Sequence, residues 1–308
     1  MTRIQPIAQR GLDFVDGLID SDGSLQLGVD KEPENKIRWT AKLYIDLTSI
    51  DIEVLNSAKD ILNVGFIQKA SSVPPEKDKW SYRISSQKGC KSVITLLQPY
   101  LRGTAREQSV IFKAAAELAV SGKTRKKEGL TQYIHLMYKI NSQGVFRRKT
   151  LNEWLQGIDA ETIPFDKSLL QTLPPIHSCS DEWIAGYAQG DGSFYITRDK
   201  VDQPRFCFTL IDDYKAILED IQKALNNCGN IYSIHPGTAS NNKVVYRYQV
   251  DTQNVLREQV IPVFDKNFLV GQQQERYLLW RKALELQEKK GENYKKEVKQ
   301  LENQLKAF

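Results

Sequence analysis

Apolar and polar residues alternate along several short stretches in the first third of the chain. Leu25, Leu27 and Val29 alternate with polar residues or glycine, and the segment from Ile37 to Leu47 continues the same alternation. A period of two is typical of a β-strand with one buried face. Helix-like apolar spacing occupies 15–22, 51–65 and 109–120, and further strand candidates lie at 66–70 and 80–85. The pattern predicts the order αββαββα.

The second half of the chain repeats this order. Leu218 follows Leu55 by 163 residues, Arg247 follows Arg83 by 164, and Pro262 follows Pro99 by 163. Nearly constant offsets indicate two copies of one structural unit. We therefore expect an α+β fold of two pseudo-twofold related αββαββα domains, each a curved antiparallel sheet backed by helices. The expected boundaries are 8–120 for the first domain, 121–175 for a connector, and 176–308 for the second domain with a helical tail.

The connector is distinguished by two basic runs, "KTRKK" at 123–127 and "RRK" at 147–149. Helical stretches, "LTQYIHLMYKI" and "TLNEWLQGI", accompany these runs, and the connector ends at Pro174-Pro175. Proline pairs are typical breakers of regular structure, so the second domain is expected to begin directly after them.

Composition narrows the possible classes of protein. With 41% hydrophobic and 26% charged residues, the 308-residue chain is typical of a soluble globular protein. No apolar run approaches the roughly 20 residues that a membrane helix needs, so a membrane partner is not expected. Segment 1–12 lacks the apolar core of a secretory signal, so secretion is not expected either. The net charge of +5 is compatible with a polyanionic partner without being specific for one.

The four cysteines form no CxxC pair and lie near no histidine at zinc-binding spacing. They are therefore expected to be buried free thiols rather than disulfides or metal ligands. These residues are Cys90, Cys179, Cys207 and Cys228.

Two related phrases carry the strongest signal, "VDGLIDSDGS" at Val15–Ser24 and "IAGYAQGDGS" at Ile184–Ser193. Gly17 and Gly186 lack a Cβ and would let two short helices cross closely. Ser21 and Gly190 lie four residues further on, on the same helix face. The two helices are therefore expected to pair as the interface between the domains.

Each phrase ends in an aspartate, Asp22 or Asp191, and the pairing of the helices would bring the two carboxylates together. A carboxylate at a helix C-terminus is disfavoured by the helix dipole, so two converging carboxylates call for a cation. Carboxylates without His or Cys suit Mg²⁺. Gly23 and Gly192 follow the aspartates and are expected to adopt the positive φ that ends a helix. The alternative for each aspartate is a polar residue that ends a helix without any chemistry.

The phrases and the repeated αββαββα order resemble the single-chain, two-repeat LAGLIDADG homing endonucleases. The resemblance covers nearly the whole chain, and the connector stretch "KKEGLTQYIHLMYKIN" is similar to the segment that follows the last domain helix in single-chain members. Asp16 and Asp20 have no acidic counterpart in the second phrase and are interpreted as non-catalytic.

The resemblance implies Mg²⁺-dependent hydrolysis of both strands of a long DNA target, promoting intron homing. The cations would activate water for attack on phosphorus and stabilise the leaving 3′ oxygen. Asp22 and Asp191 would be the catalytic metal ligands, and the backbone carbonyls of Ser21 and Gly190 would complete the coordination. Mn²⁺ or Ca²⁺ could replace Mg²⁺, Ca²⁺ without activity.

DNA recognition is expected on the polar faces of the two sheets, because a two-stranded ribbon fits the major groove and Arg, Lys and Gln contact base edges there. The alternative for each residue is a solvated sheet face. The candidates are Gln26, Arg38, Thr40, Lys42, Lys69 and Arg83 in the first domain, and Tyr195, Thr197, Arg198, Arg205, Thr209, Arg247 and Gln249 in the second.

Members of the family also carry a basic residue at each site that helps to position the hydrolytic water. The candidates for this role are Arg102, Arg106 and Lys266, and the polar residues Ser49 and Asp212 at strand ends are further candidates. His135, His177 and His235 lie at unmatched positions in the repeats and are interpreted as structural.

Two other functions remain open on the same scaffold. One is an intron RNA-splicing maturase, with host intron RNA as a partner. The other is a non-cleaving DNA-binding protein, which would be expected to lose one aspartate or the close helix packing. The expected state is a monomer that binds double-stranded DNA, in a chloroplast or mitochondrion.

Overall fold

The computed structural model describes residues 7–31, 39–70, 79–141, 149–200, 202–234, 244–289 and 293–308. The chain folds as two compact units. The split unit combines Met1–Asp22 with Ser178–Phe308, and the continuous unit consists of Gly23–His177. The contacts thus divide the chain at Asp22 and His177, whereas the sequence repeats suggest a division near 120 and 176.

The continuous unit contains one four-stranded antiparallel sheet in the order β1-β2-β4-β3. Helices follow each strand pair, and a 3₁₀ turn at Lys123–Arg125 leads into the connector. The elements are β1 Gly23–Lys31, β2 Trp39–Ser49, α2 Ile52–Leu62, β3 Phe66–Lys69, β4 Trp80–Ile84, α3 Gln87–Leu97, α4 Gly103–Val120, α5 Lys127–Lys139 and α6 Leu151–Gln156.

The split unit contains a second sheet with the equivalent order, β5-β6-β8-β7. Its first helix comes from the beginning of the chain and all its other elements come from the end. They are α1 Ile7–Asp22, α7 Asp181–Asp191, β5 Gly192–Arg198, β6 Pro204–Asp212, α8 Lys215–Ala224, β7 Asn230–Ile234, β8 Val245–Val250, α9 Gln253–Val255, a π-helical turn Leu256–Val260, α10 Ile261–Lys266, α11 Gly271–Lys289 and α12 Tyr294–Leu305.

The alternation seen in the sequence explains both sheets. Leu25 and Leu43 lie on the buried face of the first sheet, and Phe194 and Phe208 lie on the buried face of the second. Phe194 packs at 5.3 Å between ring centres against Trp280 of α11. Burial of one sheet face against helices removes this apolar area from water and stabilises each unit. The predicted αββαββα order is confirmed, with more than one helix after each second strand pair.

Strand register corrects one landmark of the sequence repeat. Leu47 and Leu210 occupy equivalent positions, opposite Gly23 and Gly192. In the same frame Asp46 pairs with Arg83, and Thr209 pairs with Gln249. Gln249, and not Arg247, is therefore the structural counterpart of Arg83. A constant sequence offset misses this change because the interval between paired strands differs in length between the two repeats.

All four cysteines are free thiols. Cys90 and Cys207 are buried, as expected, whereas Cys179 and Cys228 are partly exposed, so the expectation of burial is wrong for these two. No helix within the described residues is long and apolar enough to cross a membrane.

Candidate active site and nucleic-acid interface

The site is built on the pairing of α1 with α7 inside the split unit. A Cβ on Gly17 would lie 2.6 Å from the backbone nitrogen of Tyr187 and closer still to the carbonyl oxygen of Trp183. A Cβ on Gly186 would lie 2.7 Å from the carbonyl carbon of Phe14. Side chains cannot fit at these distances, so the close crossing predicted from the two glycines is confirmed.

The pairing continues to the ends of both helices. Asp22 and Asp191 are the last residues of α1 and α7. A Cβ on Gly190 would lie 2.6 Å from Asp22 Oδ2 and would also collide with the hydroxyl of Ser21. The backbone before Asp191 therefore lies directly against the carboxylate of Asp22, and the predicted convergence of the helix ends is confirmed.

The expected positive φ at Gly192 is wrong. Gly192 has φ −82° and ψ 146°, which is an extended conformation that leads straight from α7 into β5. Glycine is needed there for space, because a Cβ would lie 2.9 Å from the side chain of Ala188 and even closer to its carbonyl oxygen.

The electrostatic environment of the two carboxyls is unfavourable for negative charge. Burial raises the pKa of Asp22, although part of the residue stays exposed. Burial, followed by the negative charges of Asp22 and Asp212, raises the pKa of Asp191 to about 7. These shifts have the sign expected for carboxylates that converge at helix C-termini in the absence of a cation.

Asp212 is the sequence candidate that the structure brings to this site. It ends β6 and accepts hydrogen bonds from the hydroxyl of Tyr187 and the backbone N–H of Tyr214. Tyr187 lies one helical turn before Asp191 and is fully buried. Burial raises the pKa of Asp212 against the effect of these two hydrogen bonds. Tyr187 was not predicted from the sequence, because an aromatic residue in an apolar helix reads as core.

The other aspartates of α1 have structural contacts, in agreement with their interpretation as non-catalytic. Asp20 accepts a hydrogen bond of 3.2 Å from the indole nitrogen of Trp183, and Asp13 accepts one of 2.6 Å from Ser180, the N-cap of α7. Both bonds join α1 to α7. Asp16 is fully buried.

Two glutamines that sequence reasoning missed hold the end of α7. The side-chain nitrogen of Gln273 donates to the carbonyl oxygens of Ala188 and Gly192 at 3.0 and 2.6 Å. Gln189 exchanges two hydrogen bonds with the backbone of Val270. Carbonyls at a helix end lack partners within the helix, so these bonds fix the segment that carries Asp191. Gln273 lies 82 residues from Asp191, and no local pattern signals such a pair.

The basic candidates for positioning water separate into two groups. Arg102 is buried and donates to the carbonyl oxygen of His177 at 2.7 Å, and Arg106 donates to that of Pro174. These two arginines tie the end of the connector to the start of α4, so their proposed catalytic role is corrected to a structural one. Lys266 is exposed at the end of α10, a helix that contacts α7. Ser49 ends β2 and accepts a hydrogen bond from Asp51 N–H.

The histidines have the surroundings of structural residues. His177 stacks on Tyr100 with 4.6 Å between ring centres. His135 lies 5.6 Å from the ring of Phe165, and burial lowers its pKa. His235 lies outside the described residues.

The continuous unit presents most of its predicted contact residues on one face. Cross-strand pairing puts Gln26, Thr40, Lys42 and Arg83 on the face opposite the apolar core. Lys69 pairs with Trp80 and is therefore on the other face, which corrects its assignment; its neighbour Gln68, paired with Ser81, lies on the polar face instead. Arg38 lies outside the described residues.

The split unit presents the corresponding face of the second sheet. Register puts six of the predicted residues there, and Thr209 among them is buried. Arg198 is out of phase with these residues and makes hydrogen bonds of 2.9 and 2.7 Å to buried Glu302 of α12, so its assignment as a DNA contact is wrong. The residues on the polar face are Tyr195, Thr197, Arg205, Thr209, Arg247 and Gln249.

Several basic residues of the polar faces are paired with carboxylates. Arg83 forms a double hydrogen bond with Asp46, at 2.7 and 2.9 Å. Lys42 lies 3.6 Å from Asp30, and Arg205 forms a salt bridge with Asp251. These carboxylates lower the net positive charge of the polar faces, and the paired Arg and Lys side chains still carry N–H groups that can donate further hydrogen bonds.

The donor set at the helix ends fits a hard divalent cation. Within the described residues, no three His, Cys, Asp or Glu side chains are grouped as a metal site. The two carboxylates with raised pKa supply hard oxygen ligands at the helix ends. Mg²⁺ is held in this way in many phosphoryl-transfer sites.

The two halves of the chain match one family. Residues 15–115 and 184–284 each match the family model described as LAGLIDADG endonuclease. The probable intron-encoded endonuclease 2 of Neurospora crassa is 25% identical over 281 residues, which are 88% of this chain and 59% of that protein. The probable intron-encoded DNA endonuclease 1 of Mycosarcoma maydis is 25% identical over 243 residues, 75% of each protein. The chain thus spans less than two thirds of the Neurospora relative.

Solved structures share the fold over almost the whole chain. I-SmaMI bound to an uncleaved DNA target in the presence of calcium ions has a TM-score of 0.76 at 22% identity, covering 96% of this chain and 98% of that one. The I-LtrWI LAGLIDADG homing endonuclease bound to target DNA has a TM-score of 0.76 at 18% identity, covering 96% and 97%.

Proposed function

This chain belongs to the LAGLIDADG endonuclease family, and we propose that it is a site-specific endonuclease that hydrolyses both strands of a DNA target and promotes intron homing. The observation that carries the proposal is the meeting of Asp22 and Asp191 at the ends of two helices packed without room for a Cβ. A DNA-binding protein without cleavage activity has no need for two converging carboxylates, which cost stability when no cation neutralises them.

Asp22, Asp191 and the carbonyl oxygens of Ser21 and Gly190 would hold the cation, which we propose to be Mg²⁺. When bound, the cation would supply Lewis-acid activation of water and neutralise charge on the leaving oxygen. The I-SmaMI structure was obtained with calcium ions, which supports a divalent cation without distinguishing which one acts here.

The residues around the carboxylates would prepare the site for DNA. Tyr187 and Gln273 keep Asp212 and the end of α7 in place. Asp212 and the exposed Lys266 are the side chains in the split unit that we propose to orient the attacking water through hydrogen bonds, and Ser49 is the candidate in the continuous unit. Because the pKa of Asp191 is raised to about 7, cation binding near neutral pH would release a proton from those molecules in which this carboxyl is protonated.

DNA would lie on the polar faces of the two sheets. The side chains proposed to contact it are Gln26, Thr40, Lys42 and Arg83 in the continuous unit, and Tyr195, Thr197, Arg205, Arg247 and Gln249 in the split unit. The relatives supply indirect support, since I-SmaMI and I-LtrWI are bound to DNA targets in their structures. Because one chain carries both repeats and both aspartates, we propose that it acts as a monomer.

Cleavage of a randomised library of duplex targets in Mg²⁺ would identify the site and test the proposal. Asp22→Asn and Asp191→Asn should each lose at least about a hundredfold in double-strand cleavage, because even indirect partners of metal ligands cost 10–100-fold. Affinity for the target should be retained, since removing a negative charge does not weaken attraction to phosphates.

The matched control is Asp20→Asn, which makes the same charge change on α1 and leaves an oxygen to accept the hydrogen bond from Trp183. This variant should cleave a supercoiled plasmid like the parent. Loss of both cuts in a single aspartate variant would indicate a shared cation, and efficient nicking would indicate independent sites. Full linearisation by Asp22→Asn or Asp191→Asn would contradict the assignment of that residue. Binding of intron RNA by a chain that never cleaves DNA would favour a maturase.

A further inference from the structure

Arg83 is held in one orientation on the polar face of the first sheet. Its Nε and Nη2 donate to the two carboxylate oxygens of Asp46 at 2.7 and 2.9 Å. The guanidinium also lies over the ring of Tyr44, 4.7 Å from the ring centre. The Asp46 side chain is 6% exposed, whereas 31% of the Arg83 side chain remains exposed. Asp46 and Tyr44 therefore hold the guanidinium of Arg83 in place, while part of the Arg83 side chain remains exposed to solvent.

The open edge of Arg83 has a defined set of donors. Asp46 uses the side of the guanidinium formed by Nε and Nη2. The end of the group, with one hydrogen on Nη2 and two on Nη1, makes no hydrogen bond within the described residues. Two parallel N–H donors at that end match the O6 and N7 acceptors of guanine.

Gln249 occupies the equivalent position in the second sheet and is oriented by a carboxylate of its own. Its side-chain nitrogen donates to Asp251 Oδ2 at 2.9 Å, and the same oxygen accepts from Arg205. A carboxylate only accepts hydrogen bonds, so the amide nitrogen of Gln249 must face it. The amide then presents its oxygen and one N–H to the surface, the complement of N6 and N7 of adenine.

We propose that Asp46 and Asp251 are positioning residues for target recognition, which hold Arg83 for a guanine and Gln249 for an adenine in the DNA site. This inference rests on the proposed DNA-cleaving function and adds to it the bases that two defined side chains recognise. The sequence candidates included Arg83 and Gln249 but neither carboxylate, because an acidic residue on a DNA-binding face is disfavoured by charge alone. The carboxylates act by removing rotational freedom from the side chains that contact the bases.

Selection of bound duplexes from a randomised library, in Ca²⁺ to prevent cleavage, measures the base preference at every position. The wild-type profile should contain a guanine and an adenine that respond to single variants. Arg83→Gln should change the preferred guanine to adenine at one position. Asp46→Asn should reduce discrimination at that same position by about tenfold, the equivalent of 1.4 kcal/mol, while other positions stay unchanged. Asp251→Asn should do the same at the adenine.

Asp30→Asn is the matched control for Asp46→Asn. Both variants remove one negative charge from the same sheet face, but Asp30 is exposed and lies 3.6 Å from Lys42. Asp30→Asn should alter the dependence of affinity on salt without altering base preference. Asp46→Glu, which keeps a carboxylate, should restore part of the guanine preference, which a general loss of folding would not allow.

The selection experiment distinguishes failure of the proposed DNA-cleaving function from failure of the proposed role of Asp46 and Asp251. A wild-type chain that selects no duplex would overturn both the proposed function and this inference. A wild-type chain that selects a target whose base preferences are the same in Asp46→Asn and Asp251→Asn would overturn the inference alone. If Asp46→Asn does not fold, the base preferences of Arg83→Gln and Asp251→Asn test the inference. Preferences that are unchanged in both variants would reject it.

Discussion

At the scale of single residues, the site depends on glycines as well as on its two carboxylates. Gly17 of α1 and Gly186 of α7 allow a backbone approach that no other residue permits. At Gly190, the hydroxyl of Ser21 and the carboxylate of Asp22 occupy the space that a side chain would need. Because protein interiors are close-packed, a methyl group added at Gly17 or Gly186 must displace backbone rather than a flexible side chain.

Gly186→Ala should therefore lower the free energy of unfolding by about 1–3 kcal/mol, the usual cost of overpacking. The sign of this change is informative, because replacing Gly by Ala within a helix otherwise raises the free energy of unfolding by about 0.5–1 kcal/mol. Urea denaturation of the whole chain measures the change. Gly28→Ala in β1 is the control, because its Cβ would meet only the side chain of Lys42 at 3.8 Å, and it should leave stability unchanged or raise it by up to about 1 kcal/mol. Equal effects of the two variants would contradict the packing account.

At the scale of elements, the last helix is an addition to the repeated fold. The family match ends at residue 284, and α12 packs against α11 and β5 with Val298, Leu301 and Leu305 buried. Buried Glu302 joins the helix to Arg198 of β5 at 2.7 Å. It also pairs with Lys306, at the end of the same helix, and with Lys299 within it, at 2.8 and 3.3 Å. Burial would raise the pKa of Glu302, but these three cations together lower it to about 2.

Because the folded pKa lies below the ordinary value of 4.5, this carboxylate contributes stability above pH 4.5 that is lost as the pH falls through about 2. Glu302→Gln should be less stable than the parent by about 1–3 kcal/mol at neutral pH, as for loss of a buried ion-pair network. The difference should shrink as the pH is lowered from 4.5 towards 2. Thermal unfolding at several pH values tests this. Glu297→Gln, a change at an exposed position of the same helix, should leave stability nearly unaltered. If the stability difference between Glu302→Gln and the parent is the same at all pH values, the ionic explanation is excluded.

At the scale of the whole molecule, carboxylates neutralise part of the positive charge on the polar faces that we propose to bind DNA. The chain carries a net charge of only +5, and Arg83, Arg205 and Lys42 each lie beside a carboxylate. Phosphate contacts depend on unneutralised cations, whereas base recognition depends on oriented donors. The distribution of charge therefore favours sequence-dependent over indiscriminate binding.

Arg247 lies between Ile211 and Tyr232 on the polar face of the second sheet, and within the described residues it forms no salt bridge, whereas Arg205 is paired with Asp251. We therefore expect Arg247 to contact phosphate. Arg247→Ala should weaken binding similarly for all sequences and reduce the slope of log affinity against log salt by about one. Affinity measured at several salt concentrations gives the slope. Lys295→Ala, at an exposed position of α12, removes the same charge and should leave the slope unchanged. A slope that Arg247→Ala leaves intact would place Arg247 away from phosphate.

Local chemistry explains which features could be predicted from the sequence. Strand alternation follows from the pleat, so the two sheets and their apolar faces were predictable. Gly17, Gly186, Asp22 and Asp191 stand out because two phrases repeat, and a repeat preserves a shared packing requirement. The close crossing of α1 and α7 could therefore be predicted before any contact was known.

Features that depend on partners distant in the sequence were decided by the tertiary structure alone. Register moved the counterpart of Arg83 by two residues along the same face, from Arg247 to Gln249. It put Lys69 on the other face, because a shift of one residue reverses the side of a sheet. Arg198 donates to Glu302, 104 residues away, and Arg102 donates to the carbonyl oxygen of His177, 75 residues away. A basic residue has the same charge in every partnership, so its sequence neighbourhood does not distinguish phosphate, carboxylate or carbonyl as its acceptor; only the packing of the folded chain makes that choice.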